Sequence, residues 1–146
     1  MAVLDEHEVD KAIYNALKEN AGVVAIFGAS PRIRFFTETN IAFPWVRVDG
    51  IPIDPLTRTM KASGLDWIRR RRLQFNVFSQ STSLDEAAAG KAALETVLEQ
   101  IPSDANATVT GGVIKTAVQG ISVIDFDSEN DTAYAITEWT FSFEPT

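Results

Sequence analysis

The sequence predicts an α+β fold: a mainly antiparallel sheet of about five strands with two α-helices packed on one face, in the order α-β-β-β-α-β-β. Three observations predict it. Two segments space apolar residues at helical intervals, and several others alternate apolar with polar residues as strands do. The strand-like segments also follow one another through turn-rich links, with the helices inserted between groups of strands, which favours a layered sheet over a parallel crossover fold. At 146 residues and 45% hydrophobic content, the chain is sized for one domain over 1–146 with a core that needs no covalent staples.

Asp5 and Glu8 form a capping box ahead of Val9, Ala12, Ile13, Ala16 and Leu17, so residues 6–19 read as an amphipathic helix. The stretch VVAIF between Asn20 and Gly28 reads as a short helical turn or a buried loop. RIRFF, after Ser30-Pro31, and PWVRV at 44–48 read as strands, with Pro44 at the tolerated first position. Residues 50–66 hold two prolines and two glycines without a clean period, and read as a long loop.

A long strand follows from Trp67 to Ser79. Alternation puts Leu73, Phe75 and Val77 on one face with Arg69 and Arg71, and Arg70, Arg72, Gln74 and Asn76 on the other. Ser83 and Glu86 make a second capping box, before an apolar stripe of Ala87, Gly90, Leu94, Val97, Leu98 and Ile101 that Pro102 stops. Two or three further strands follow: VIKTAVQG and ISVIDFD are the first candidates, and AYAITEWTFSF is the last, with Trp139, Phe141 and Phe143 sharing a face with Ala133 and Ala135. The expected core is Ile13, Leu17, Phe75, Val77, Leu94, Leu98, Trp139 and Phe141.

Charge is unevenly distributed. Arg32, Arg34, Arg47, Arg58, Lys61, Arg69, Arg70, Arg71 and Arg72 all lie between positions 32 and 72, against four acids there. That segment carries +5 and the rest −12, within a net charge of −7. Two readings fit: neutralisation inside the fold, or a self-complementary surface for head-to-tail assembly. An acidic chain of this kind is not expected to bind nucleic acid. No apolar run reaches the ~18 residues of a membrane span, and the acidic MAVLDEHEVD start carries no export pattern.

The usual signatures of catalysis are missing from the sequence. There is no Cys and only one His, His7, in the first turn of an exposed-looking helix. No nucleophile elbow, P-loop or dinucleotide fingerprint occurs. The acids Asp125, Asp127, Glu129 and Asp131 fail as a calcium loop, since Asn130 and Ile136 occupy the positions where Gly and Glu are needed. A hairpin turn centred on Asn130-Asp131 accounts for them. No cofactor, metal or catalytic residue is expected.

The layout resembles a known family. An N-terminal amphipathic helix leads through VVAIFGASPRIRFF to FPWVRVDG, then by a long loop into LQFNVFSQS. The capped helix SLDEAAAGKAALETVLEQI and a closing strand of WTFSF type complete it. This order is similar to that of the tail terminator proteins, also called tail completion or head–tail joining proteins, of long-tailed bacteriophages and phage-like gene transfer particles. The Arg69–Arg72 run departs from that layout.

The resemblance implies a non-enzymatic structural protein located in the tail or neck region of a virion, and in host cytoplasm during assembly. Its implied partners are further copies of itself in a hexameric ring, the tail tube protein, and head–tail connector or neck proteins. The ring would cap the tube, stop its polymerisation and join tail to head. Another neck, head-completion or tube subunit, or a small α+β ligand-binding module, is the alternative. Within such a ring the candidate subunit interface is Arg69, Arg70, Arg71 and Arg72 with Asp125, Asp127 and Glu129. Those acids would come from a paired strand of the same subunit or from the next subunit, and the length of the arginine strand favours the next subunit.

Overall fold

A computed structural model describes residues 6–35, 41–51, 56–61, 64–80 and 83–145, with 56–68 described by backbone alone. The order is α1 (Glu6–Lys18), α2 (Ala21–Phe27), β1 (Ile33–Arg34), β2 (Trp45–Ile51), β3 (Leu56–Lys61), β4 (Gly64–Ser79), α3 (Asp85–Leu98), β5 (Gly112–Asp127) and β6 (Thr132–Pro145), with a 3-10 turn at Ile101–Ser103. The strands form one sheet in the order β1-β2-β4-β6-β5, with β3 added along β4. Among the described strands, only β1 and β2 run parallel. The fold is therefore α+β with a mainly antiparallel sheet, as the periodicities predict, and the helices cover one face.

Helix α1 buries the residues that its 3.6-residue period selects: Val9, Ala12, Ile13, Ala16 and Leu17. Asp5, half of the expected capping box, lies outside the described residues. The VVAIF stretch is a true helix, because the Asn20 side chain accepts from the Val23 amide at 3.1 Å and so caps its start. It ends at Gly28, whose φ of 100° suits glycine.

In α3 the apolar stripe is buried as expected. At the expected second capping box, Ser83 Oγ accepts from the Asp85 amide, and Glu86 accepts from the buried Ser79 hydroxyl at 2.5 Å. Gly90 lets the helix approach the sheet, since a Cβ there would stand 2.9 Å from Phe27 and 3.0 Å from Val77. All eight expected core residues are buried, and Trp139 directs its indole N–H to Thr137 Oγ1 at 2.8 Å.

Three expectations need correction. The segment 50–66 is not a structureless loop. β2 runs on to Ile51, and β3 pairs antiparallel with the start of β4, from Leu56↔Arg69 to Lys61↔Gly64. The two-strand pairing supplies the backbone bonds that the irregular side-chain pattern conceals. RIRFF contributes only Ile33 and Arg34 to β1, and Phe36 lies outside the described residues. The candidates VIKTAVQG and ISVIDFD are one strand, continuous through Gly120 by way of a bulge between Gln119 and Ser122, so two strands follow α3, as the expected order has it, and not three.

Candidate assembly surfaces

The arginine strand follows the predicted alternation, and the acids that serve it come from elsewhere in the fold. Arg71 lies on the helix side, where its Nε and Nη2 donate to Asp10 Oδ1 and Oδ2 of α1 at 3.0 and 2.9 Å. Both side chains are mostly buried. Gly50 makes room for this pair, because a Cβ at that position would meet Arg71 Nη1 at 2.8 Å.

Arg72 lies on the open face, with Nε 2.9 Å from Glu138 Oε1 of β6. The N–H does not point at that oxygen, so the contact is one of charge and not a hydrogen bond. Glu138 is buried despite facing away from the helices, and it is overlaid by Gly120, where a Cβ would stand 3.1 Å from its Oε1. Arg69 and Arg70 are also engaged in the chain, Arg70 while remaining exposed.

The acidic cluster lies at the other end of the sheet. Arg70 pairs with Ser142 and Asp125 with Tyr134, eight positions apart along β6, or about 26 Å at ~3.3 Å per residue. A paired strand of the same subunit therefore does not bring Asp125, Asp127 and Glu129 to the arginines. These acids organise their own turn. Asp127 accepts from the Glu129 amide at 3.0 Å and from Asn130 Nδ2 at 2.8 Å. Both bonds favour the ionised carboxylate and hold the Asp127 pKa below the usual value, led by the Asn130 contact. Asp131 closes the turn at φ 48°.

Two sheet edges stand out. Beyond Arg69, β4 pairs only with β3 among the described residues, so these two strands form an arm. It outruns the rest of the sheet by five residues of β4, about 17 Å. On the opposite side β5 is an edge strand, paired only with β6 among the described residues. Its bulge turns Gln119 and Ser122 to the same side, although three positions separate them. Gln119 reaches Thr137 Oγ1 at 3.2 Å and Glu95 of α3, while Lys91 of α3 donates to Ser122 Oγ at 2.6 Å. Along this edge Val118, Ile121, Val123, Ile124 and Phe126 are exposed, Ile121 to 57%.

The open face also carries a polar ladder. Asp49 accepts from Arg47 Nε at 3.1 Å and Asn76 Nδ2 at 3.0 Å, and Gln74 donates to Asn76. Trp45 and Phe78 stack at 5.0 Å, with the Arg47 guanidinium 5.4 Å over the Phe78 ring. An open groove of about 670 Å³ between α1 and β1 is lined by His7, Asp10, Lys11, Tyr14 and Arg34. Among the described residues, no three His, Asp or Glu side chains gather as metal ligands, and no helix is long and apolar enough to cross a membrane.

The sequence matches no protein-family model and no curated protein. Among solved structures, the fold is similar to a chain in the structure titled "Virion of native gene transfer agent (GTA) particle". The TM-score is 0.64 at 14% identity, over 90% of this chain and 91% of that chain. The likeness is one of fold.

Proposed function

We propose that this chain is a structural virion protein of the tail terminator kind. It forms a ring on the end of a tail tube, stops addition of further tube subunits, and presents the surface that joins tail to head. The observation that carries this reading is the fold likeness to a chain of a gene transfer agent virion over nine-tenths of both chains. The terminator-like order of sequence segments supports it independently.

The physical features suit a ring. A closed ring needs a heterologous interface made from two different surfaces of each subunit, and this chain has two unlike sheet edges with a basic segment near one and an acidic turn near the other. The partners in this reading are further copies of the chain, the tail tube protein and a connector or neck protein. The site of action is the virion neck.

The test is in vitro. Purified chain is added to polymerising tube protein, and tube lengths are measured by electron microscopy alongside native mass spectrometry of the chain alone. Short, capped tubes and a single closed oligomer, six-fold in this reading, are expected. Tubes of unchanged length refute a terminator role. Particles lacking the chain then separate the neck alternatives: overlong tails mark a terminator, and open or leaking heads mark a connector.

A further inference from the structure

We infer that the β3–β4 arm of one copy adds as a strand to the free edge of β5 in the next copy, along Ile121–Asp127, so that the sheet continues from subunit to subunit. This rests on the ring reading above and names its seam.

Five observations converge on it. The β5 edge is long and unpaired with any further strand among the described residues, so its outward backbone groups form a template for another strand, with the Phe126 N–H met by Asp125 Oδ1 at 2.8 Å until an incoming strand replaces it. Single exposed apolar residues are ordinary on a surface, but Ile121, Val123, Ile124 and Phe126 crowd one short stretch of one edge. Soluble proteins blunt such edges with charge, bulges or a covering element, and here the stretch lies past the bulge with its apolar residues uncovered.

The arm is the complementary piece. Past Arg69 its two strands pair only with each other among the described residues, and a lone two-stranded ribbon is marginal in water until a third strand or a packing surface joins it. β3 has six residues, close to the seven of Ile121–Asp127. Charge selects the partner. The arm carries Arg58 and Lys61 against Asp66, a net positive charge, whereas Asp125, Asp127 and Glu129 stand at the receiving stretch. A second copy of this chain supplies that complement by itself, and strand addition of this kind draws affinity from main-chain bonds and register from side chains.

The absence of Cys makes the test clean. A chain carrying Thr59→Cys and Val123→Cys is treated with a short bifunctional thiol reagent. The register puts Thr59 opposite Asp66, and Val123 opposite Ile136, which pairs with Asn76. The two sites are therefore ten positions apart along β4, or about 33 Å, so any cross-link joins two copies. A covalent ladder ending at the size of the closed oligomer is expected. Ile121→Lys with Val123→Lys should raise the assembly midpoint at least tenfold with an unchanged thermal melt, while Leu84→Lys, at an exposed apolar site away from the edge, should leave assembly unchanged.

Closed oligomers that form without the cross-link, or that tolerate the edge lysines, overturn the seam and leave the ring reading standing. Linkage of Val123→Cys to tube protein in place of the arm also overturns it. Cross-linked open chains that never cap tubes support the seam and refute the terminator reading. A chain that stays monomeric, alone and on tubes, refutes both.

Discussion

The Arg71–Asp10 pair ties α1 to the sheet at the point where the core meets the arm, and its strength can be measured directly. Two unit charges about 4 Å apart are worth about 4 kcal/mol at an effective dielectric of ~20. Side-chain exposures of 19% and 16% place the pair between a solvated surface bridge and a dry interior one. Desolvation and ordering remove roughly half of that attraction, leaving about 2 kcal/mol. Arg71→Ala and Asp10→Ala should each destabilise by about 2 kcal/mol in urea melts at constant m-value, lowering Tm by roughly 6 °C. The double variant should cost about 1.5 kcal/mol less than the sum of the two. Gly50→Ala, which pushes a methyl group against the guanidinium, should shrink that coupling. A coupling near zero would refute the reasoning, because it would mean that α1 docks through its apolar face alone.

Three other outcomes are expected. Gly90→Ala gains about 1 kcal/mol of helix propensity but meets the buried Phe27 and Val77, so it should be net destabilising by about 1 kcal/mol, and Gly90→Val by roughly 3 kcal/mol; a stabilised alanine variant in a denaturant melt would refute the close approach. The Asp127 carboxyl should titrate below the usual carboxylate range by NMR, and Asn130→Ala should raise it; with a lowered pKa, its support of the turn is present above the unfolded value of about 3.9 and is lost as pH falls through the folded one. Arg70→Glu, at an exposed position, should change monomer stability by less than about 0.5 kcal/mol but weaken assembly measured by native mass spectrometry, and Asp125→Lys in the same chain should restore part of it. Arg72 is unsuited to that swap, since reversing it would set a second carboxylate against the buried Glu138.

Local patterns were legible and long-range partners were not. The stripe Val9–Leu17 and the alternation Trp139–Phe141–Phe143 each repeat a period over several residues, so both elements and their buried faces follow from the sequence. Helix α2 has only seven residues, too few for a period to declare itself, and its signal was the single cap Asn20. β5 looked like two strands because Gly120 punctuates it, whereas the glycine is where the backbone bulges over Glu138. The arm was hidden for a similar reason: pairing of Leu56–Lys61 with Gly64–Arg69 depends on main-chain bonds that an irregular side-chain pattern does not advertise. For the arginines, alternation correctly separated Arg71 from Arg72. Their acids lie 61 and 66 positions away at Asp10 and Glu138, so only the fold could bring them together.

The continuity of β4 determines how the arm bears load. One unbroken strand of 16 residues forms half of the arm and then runs through the centre of the sheet, facing β6 at eleven positions and β2 at seven. Inter-strand hydrogen bonds lie across the strand direction, so a pull on the arm along its length shears all of these pairs together and does not unzip them in succession. A neighbour holding the arm would pull on the whole subunit as a single body, and failure under tension would come at the contact between copies before the subunit itself gave way.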